Sequence, residues 1–365
     1  MLEKRTSALS FLIRRKTLSR TTTKTPVVVT TMSSSENSND KVVVGIDRLS
    51  DGPMHTQDPF LFCVYHKDQY PAGNGKMEAP RRGNGADFNP NAPYRMYHGE
   101  KVPGFPQHPH RGFETITATL DGIIDHTDSM GNAGRYGEGD LQWMTAGKGV
   151  VHGEMFPLIH EDKENPTRFF QIWLNLPSKS KMTEPAFVMH WGSETKKVKD
   201  EGGADVIVWV GEHKGERTAM KSPPNSWAAD PENDVGVVFY SLKPGGKCEI
   251  APAKGGKATN RFLYFVEGEN GKQFVSEVNV PKKHGAEIVG DKTAVLENRS
   301  ETETMDVLLL QGKPIGEPVA SRTGGVARAV RDEHEAGDYA VFRRLSTHQV
   351  WRMAVGERRH GVSGG

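Results

Sequence analysis

The chain is predicted to be all-β, built from small antiparallel barrels or jelly rolls. Three observations carry this expectation. Short runs rich in Val, Ile and Phe are bounded by turn residues at close intervals, in keeping with 40 Gly and 22 Pro among 365 residues. Two strand-rich blocks, residues 41–177 and 205–320, follow one another across a charged link at 178–204. The first block also carries His and Glu at two-residue spacing, the period at which strand side chains share a face.

Residues 1–40 precede the predicted cores. Residues 1–35 hold seven Lys/Arg against a single acid, Glu3, and are rich in Ser and Thr. With Leu9, Phe11 and Leu12 among the basic residues, this is the composition of a mitochondrial or plastid transit peptide. Import into one of those organelles is the expectation. A start at Met32 instead leaves a protein of the cytoplasm or nucleus.

From Lys41 the pattern changes. Strands are expected at 42–46 and 58–65, and residues 66–93 read as an irregular segment broken by Pro71, Gly73, Pro80, Gly83 and Pro90. A loop of that length is uncommon unless it is functional or mobile, and it is expected to cover the His-bearing stretch. Residues 113–120 form a strand closed by Asp121-Gly122, read as a hairpin turn, with the return starting at 123–126. Further strands are expected at 141–145, 150–155 and 168–176. The last alternates, with Phe170, Ile172, Leu174 and Leu176 on one face and Gln171, Trp173 and Asn175 on the other. In the second block, 206–211, 235–242, 262–266 and 305–311 are the clearest strands.

Two motifs carry the chemistry: His108-Pro-His-Arg-Gly-Phe-Glu114 and Gly149-Val-Val-His-Gly-Glu154. His108 and His110 share a strand face, as do His152 and Glu154. Imidazole nitrogen and carboxylate oxygen together suit a divalent first-row metal, and four such ligands leave two positions open on an octahedral ion. A structural zinc site would use Cys, and Cys63 and Cys248 lie outside the motifs. Both read as buried structural thiols in a reducing compartment. Glu114, four residues after His110, also has the parity of His108 and His110, so spacing does not separate Glu114 from Glu154. The carboxylate that is not a ligand would orient one or act as a base. His55, His66, His98, His126, His160, His190 and His213 read as ordinary core or surface residues.

Net charge is +1. Taking seven bases and one acid of residues 1–35 from totals of 47 and 46 leaves 40 and 45, a mildly acidic body. No field of that size favours nucleic acid or membrane, and no apolar run reaches transmembrane length. The two blocks look like degenerate repeats. Phe113 to Gly122 matches Arg261 to Gly268, but Ala258-Thr-Asn260 stands where the first block has His108 and His110. The second block is therefore expected to be structural and without metal ligands.

At these residues the chain resembles the pirin family of the cupin superfamily. The resemblance rests on Gly104-Phe-Pro-Gln-His-Pro-His-Arg-Gly-Phe-Glu-Thr115 and on residues 139–155, with support from Gln171-Ile-Trp-Leu-Asn-Leu-Pro177 and from 310–319. It covers about residues 41–320. It implies a bicupin, two antiparallel β-barrels face to face, with metal in the N-terminal one only. It implies ligands at His108, His110, His152 and Glu154, leaving Glu114 beside the site, and Glu154 or Glu114 as a base. Family members are described as Fe(II)-dependent dioxygenases acting on the flavonol quercetin and as iron-containing transcriptional co-regulators. The implied partners are thus a small aromatic substrate and dioxygen, or a protein such as a transcription factor or metabolic enzyme, with the chain a monomer. Mn, Ni, Cu and Zn suit the same donor types. The chain departs from the family after Val319: residues 321–365 form an Arg-rich tail with eight Arg and no Lys, a shift in composition that points to a changed reading frame.

Overall fold

The structure is a computed structural model and describes residues 41–81, 89 and 91–318. The N-terminal extension and the Arg-rich tail, on which the import and reading-frame expectations rest, lie outside the described residues. No helix among those described is long and apolar enough to cross a membrane.

The first half runs through β1 (Val43–Arg48), β2 (Phe60–Tyr70), β3 (Gly104–His110), β4 (Phe113–Asp121), β5 (Ile123–Asp128), β6 (Ala133–Gly137), β7 (Leu141–Thr145), β8 (Val150–Met155), β9 (Asn165–Asn175) and β10 (Ala186–His190). The second half runs through β11 (Lys196–Asp200), β12 (Ala204–Val210), β13 (Glu212–His213), β14 (Glu216–Arg217), β15 (Gly236–Leu242), β16 (Lys247–Ile250), β17 (Asn260–Glu267), β18 (Gln273–Val275), β19 (Val278–Asn279), β20 (His284–Ile288), β21 (Ala294–Asn298) and β22 (Met305–Gly312).

These strands make two jelly rolls, each of a large and a small antiparallel sheet. In the first, a five-stranded sheet β10-β7-β4-β9-β2 accompanies a four-stranded sheet β3-β8-β5-β6. In the second, a seven-stranded sheet β1-β20-β17-β22-β15-β12-β11 accompanies β16-β21-β18-β19. The two large sheets pack against each other. Ile116, Ala118, Trp143, Phe170, Ile172 and Leu174 from one meet Trp209, Val237, Phe239, Phe262, Tyr264, Leu308 and Leu310 from the other in a single buried cluster. Each fully buried side chain of this kind contributes about 1.5–3 kcal/mol. Arg168 on β9 bridges the halves at the rim, with Nε 2.6 Å from Asp121 and Nη1 2.7 Å from Asp306.

The alternation of β9 explains how one strand serves two purposes. Its apolar set, Phe170, Ile172 and Leu174, fills the core between the large sheets. Gln171, Trp173 and Asn175 take the other face, toward the interior of the first jelly roll. The same split holds on β4, where Ile116 and Ala118 point to the second half and Thr117 points inward to Glu154, at 3.0 Å.

Several expectations are corrected. β1 pairs not with the first block but with β20, Val43 opposite Ile288. Residues 178–204 are not a bare link: β10 adds to β7 and β11 adds to β12. β2 runs to Tyr70 because His66, Asp68 and Tyr70 alternate inward and the whole stretch pairs with β9. Asp121-Gly122 is no hairpin turn, since β4 pairs with β7 and β9 while β5 pairs with β6 and β8. The chain there leaves one sheet for the other. Gly122 has φ +84°, and a Cβ would come within 2.6 Å of the Pro166 carbonyl oxygen. Of the expected irregular segment, Met77 and Ala79 pack against a cluster that includes Tyr94, Met96, Tyr97, Tyr136 and Phe156.

Candidate metal centre

The small sheet of the first jelly roll places the candidate ligands. β3 lies beside β8 with His108 directly opposite His152, and β8 lies beside β5 with His126 opposite Glu154 and Asp128 opposite His152. Residues opposite each other in an antiparallel pair project to the same face. His108, His110, His152, Glu154, His126 and Asp128 therefore line one inward surface.

Two triads emerge. Donor atoms of His108, His110 and His152 all lie within 4.8 Å of one another, and so do those of His126, His152 and Glu154. His152 belongs to both. Ring centroids of His108 and His152 are 4.5 Å apart, and those of His110 and His152 are 4.9 Å apart. Both ring nitrogens of His152 are buried without a hydrogen-bond partner. An orphaned imidazole in a low-dielectric site is costly, and a cation held among the three rings removes that cost for His152. His108 Nδ1 lies 2.8 Å from the Pro106 carbonyl oxygen. A proton on Nδ1, donated there, leaves Nε2 with the free lone pair. The residues thus fit a divalent metal.

Burial holds His110 well below the usual imidazole range, with His108 adding to the effect. His152 is pushed down in the same way, first by burial and then by His108, His110 and His126. Neutral rings are the form that binds metal. Glu154 accepts hydrogen bonds at Oε1 from Tyr136, at 2.9 Å, and from Thr117, at 3.0 Å. Burial, then the Glu154 charge, holds the Tyr136 hydroxyl well above its ordinary value, so it stays a donor. On one side of His110 stands an aromatic wall. Phe113 and Trp173 lie 5.1 and 5.5 Å from its ring, and Phe62 stacks on Trp173 at 4.3 Å.

Glu114 is elsewhere. Arg111-Gly112, with Gly112 at φ +79°, carries the chain from β3 to β4 in the other sheet, so strand parity does not run through from His110. Glu114 has the parity of Ile116 and Ala118 and faces the second jelly roll. It is fully buried and accepts from Thr145 and Ser226, each at 2.5 Å. Burial raises its carboxyl to about 7, against the lowering effect of those hydrogen bonds.

His126, read from sequence as an ordinary residue, is brought into the site. It is almost wholly buried, its Nε2 is 3.2 Å from Asp128, and its Nδ1 has no partner. The signal was present in His126-Thr-Asp128, a further pair at two-residue spacing, on the return strand expected to start at 123–126.

A jelly roll with inward His and Glu on facing strand pairs defines a cupin; the first half of this chain is one, and the second half is a jelly roll of the same two-sheet plan without those residues among the ones described. A pirin family model matches residues 53–174. An Arabidopsis thaliana protein provisionally named as pirin-like is 34% identical over 263 residues, 72% of this chain and 83% of that protein. The chain belongs to the pirin family. A Pseudomonas aeruginosa protein provisionally named as a quercetin 2,3-dioxygenase is 31% identical over 223 residues, 60% of this chain and 72% of that one. The solved structure of quercetin 2,3-dioxygenase from Acinetobacter baumannii superposes with TM-score 0.59 at 22% identity, over 80% of this chain and 95% of the other. That likeness establishes the shared fold.

Proposed function

We propose that the protein is an Fe(II)-dependent dioxygenase acting on a flavonol-like, quercetin-type aromatic. The observation that carries this reading is the juxtaposition of two things: the His108, His110 and His152 rings with both nitrogens of His152 unpartnered, and the Phe113–Trp173 wall beside His110. A relative at 31% identity bears a provisional quercetin 2,3-dioxygenase name, which supports the substrate class.

In this reading His108, His110, His152 and Glu154 hold the iron. The bound ion supplies Lewis acidity and redox chemistry toward dioxygen. The chain's own part is positioning. Phe113 and Trp173 give a flat aromatic a face to pack on. Both hydrogen bonds to Glu154 fall on Oε1, which leaves Oε2 for the metal or for a substrate hydroxyl proton. Tyr136 and Thr117 fix that carboxylate, the outer support that metal sites depend on.

The test is anaerobic reconstitution with Fe(II), measurement of iron content, then oxygen uptake with quercetin on the same sample. Uptake with one iron per first-half site is expected, and His110→Ala should lose both. Fully loaded protein that consumes no oxygen overturns the dioxygenase reading. Iron retained at wild-type stoichiometry in His110→Ala overturns the ligand assignment.

A further inference from the structure

The second jelly roll, expected from sequence to be without ligands, holds a mixed cluster of its own. Asp200 ends β11, His213 lies on β13 and Cys248 lies on β16. One donor atom from each lies within 4.8 Å of the other two. His213 Nε2 is 4.0 Å from Cys248 Sγ and 3.7 Å from Asp200 Oδ2. His213 and Cys248 are buried, and the Asp200 side chain is only 6% exposed.

We propose that Asp200, His213 and Cys248 form a second metal site, of a kind that takes Zn(II). Thiolate, imidazole and carboxylate are the three ligand types that zinc takes, and tetrahedral bond lengths of about 2.0–2.3 Å put ligand atoms roughly 3.5 Å apart. The two separations from His213 Nε2 exceed that by a few tenths of an ångström and the third pair lies within 4.8 Å, a closure that side-chain rotation supplies. A thiolate and a carboxylate offset the charge of a dication. Both contacts converge on Nε2 of His213, while Nδ1 faces the Tyr240 hydroxyl at 3.4 Å. With Nε2 on the metal, Nδ1 carries the proton and donates to Tyr240, the arrangement that fixes a ligand's tautomer.

Asp200 Oδ2 is paired with Lys214 Nζ at 2.6 Å. Lys214 is 44% exposed, so the ammonium can withdraw to water as the metal takes its place. Three protein ligands leave a fourth position for water. His213, Lys214 and Tyr240 also line a cavity of about 670 Å³, which gives that position access to solvent. This site is independent of the dioxygenase reading, since none of its ligands belongs to the first jelly roll.

Cobalt titration of the full chain tests the proposal. The first-half cluster contains no sulfur, so the thiolate-to-cobalt charge-transfer band reports the second site alone. The wild type should develop the band, Cys63→Ser should keep it and Cys248→Ser should lose it, while His213→Gln should need at least about tenfold more cobalt. Lys214→Met, a surface change, should tighten binding severalfold. Absence of the band at saturating cobalt, its persistence in Cys248→Ser, or no tightening in Lys214→Met overturns the proposal.

Discussion

Replacing Glu114 with Gln removes one titratable group from between the two jelly rolls, and the expected result is a changed dependence of stability on pH. Glu114 is fully buried, and burial lifts its carboxyl from an ordinary 4.5 to about 7. Between those values the folded chain holds this proton and the unfolded chain releases it. Stability therefore falls as pH rises through that window and stays lower above 7. Each tenfold difference in proton affinity between folded and unfolded chain is worth about 1.4 kcal/mol, so the whole window amounts to about 3 kcal/mol. Gln keeps the size and one of the two acceptor oxygens that Thr145 and Ser226 use, and its amide N–H stands where the protonated carboxyl has its O–H, without the charge. Urea unfolding of wild type and Glu114→Gln should give similar midpoints at pH 5, with the variant ahead by up to about 3 kcal/mol at pH 8. His66, held near 3 by burial and then by Arg95 and His98, acts in the opposite sense. Its contribution is present above its ordinary 6.5 and is lost as pH falls toward 3. It is common to both proteins and cancels in the difference. Parallel midpoints from pH 5 to 8 would refute the reasoning.

Other outcomes follow from the same geometry. In a Cys248→Ser background, which removes the second site, His152→Ala should abolish metal-dependent stabilisation, which for one site reaches about 2.7 kcal/mol at a hundredfold excess over Kd; thermal unfolding with and without metal reads this. Tyr136→Phe, which removes one of the two donors to Glu154 Oε1, should weaken metal binding about 10- to 100-fold in a chelator competition. Arg168→Met should lower stability by about 2 kcal/mol, the scale of a hydrogen bond to a charged group, because it leaves the nearly buried Asp306 without its guanidinium; denaturant midpoints measure it.

Strand periodicity carried much of the architecture. The alternation at 168–176 distinguished the two faces of β9, and the repeat matching Phe113–Gly122 to Arg261–Gly268 identified β4 and β17, each inside the large sheet of its own jelly roll. What periodicity does not carry is which sheet a strand joins. Asp121-Gly122 has the composition of a hairpin turn yet serves a crossing between sheets, and Arg111-Gly112 does the same. Parity counted through such a crossing is meaningless, which is why Glu114 was expected beside the imidazoles. His126 was missed for a related reason. Its partners, Glu154 and His152, come from β8, and only the lateral pairing of β5 with β8 brings them together. The cluster of Asp200, His213 and Cys248 spans 49 positions of sequence with no repeating spacing, so no local pattern announced it.

The pairing of β1 with β20 bears on how the chain is made. Val43 lies opposite Ile288, so a strand formed early in synthesis has no partner until about 245 further residues have been added. At 5–20 residues per second that is a wait of roughly 10–50 s. During it, β1 offers unpaired backbone edges, the feature that recruits stray strands from other chains. The first jelly roll has all its strands by His190 and can close while the second is still being made. The seven-stranded sheet is completed only by a contact of very long range, the kind that folds slowly.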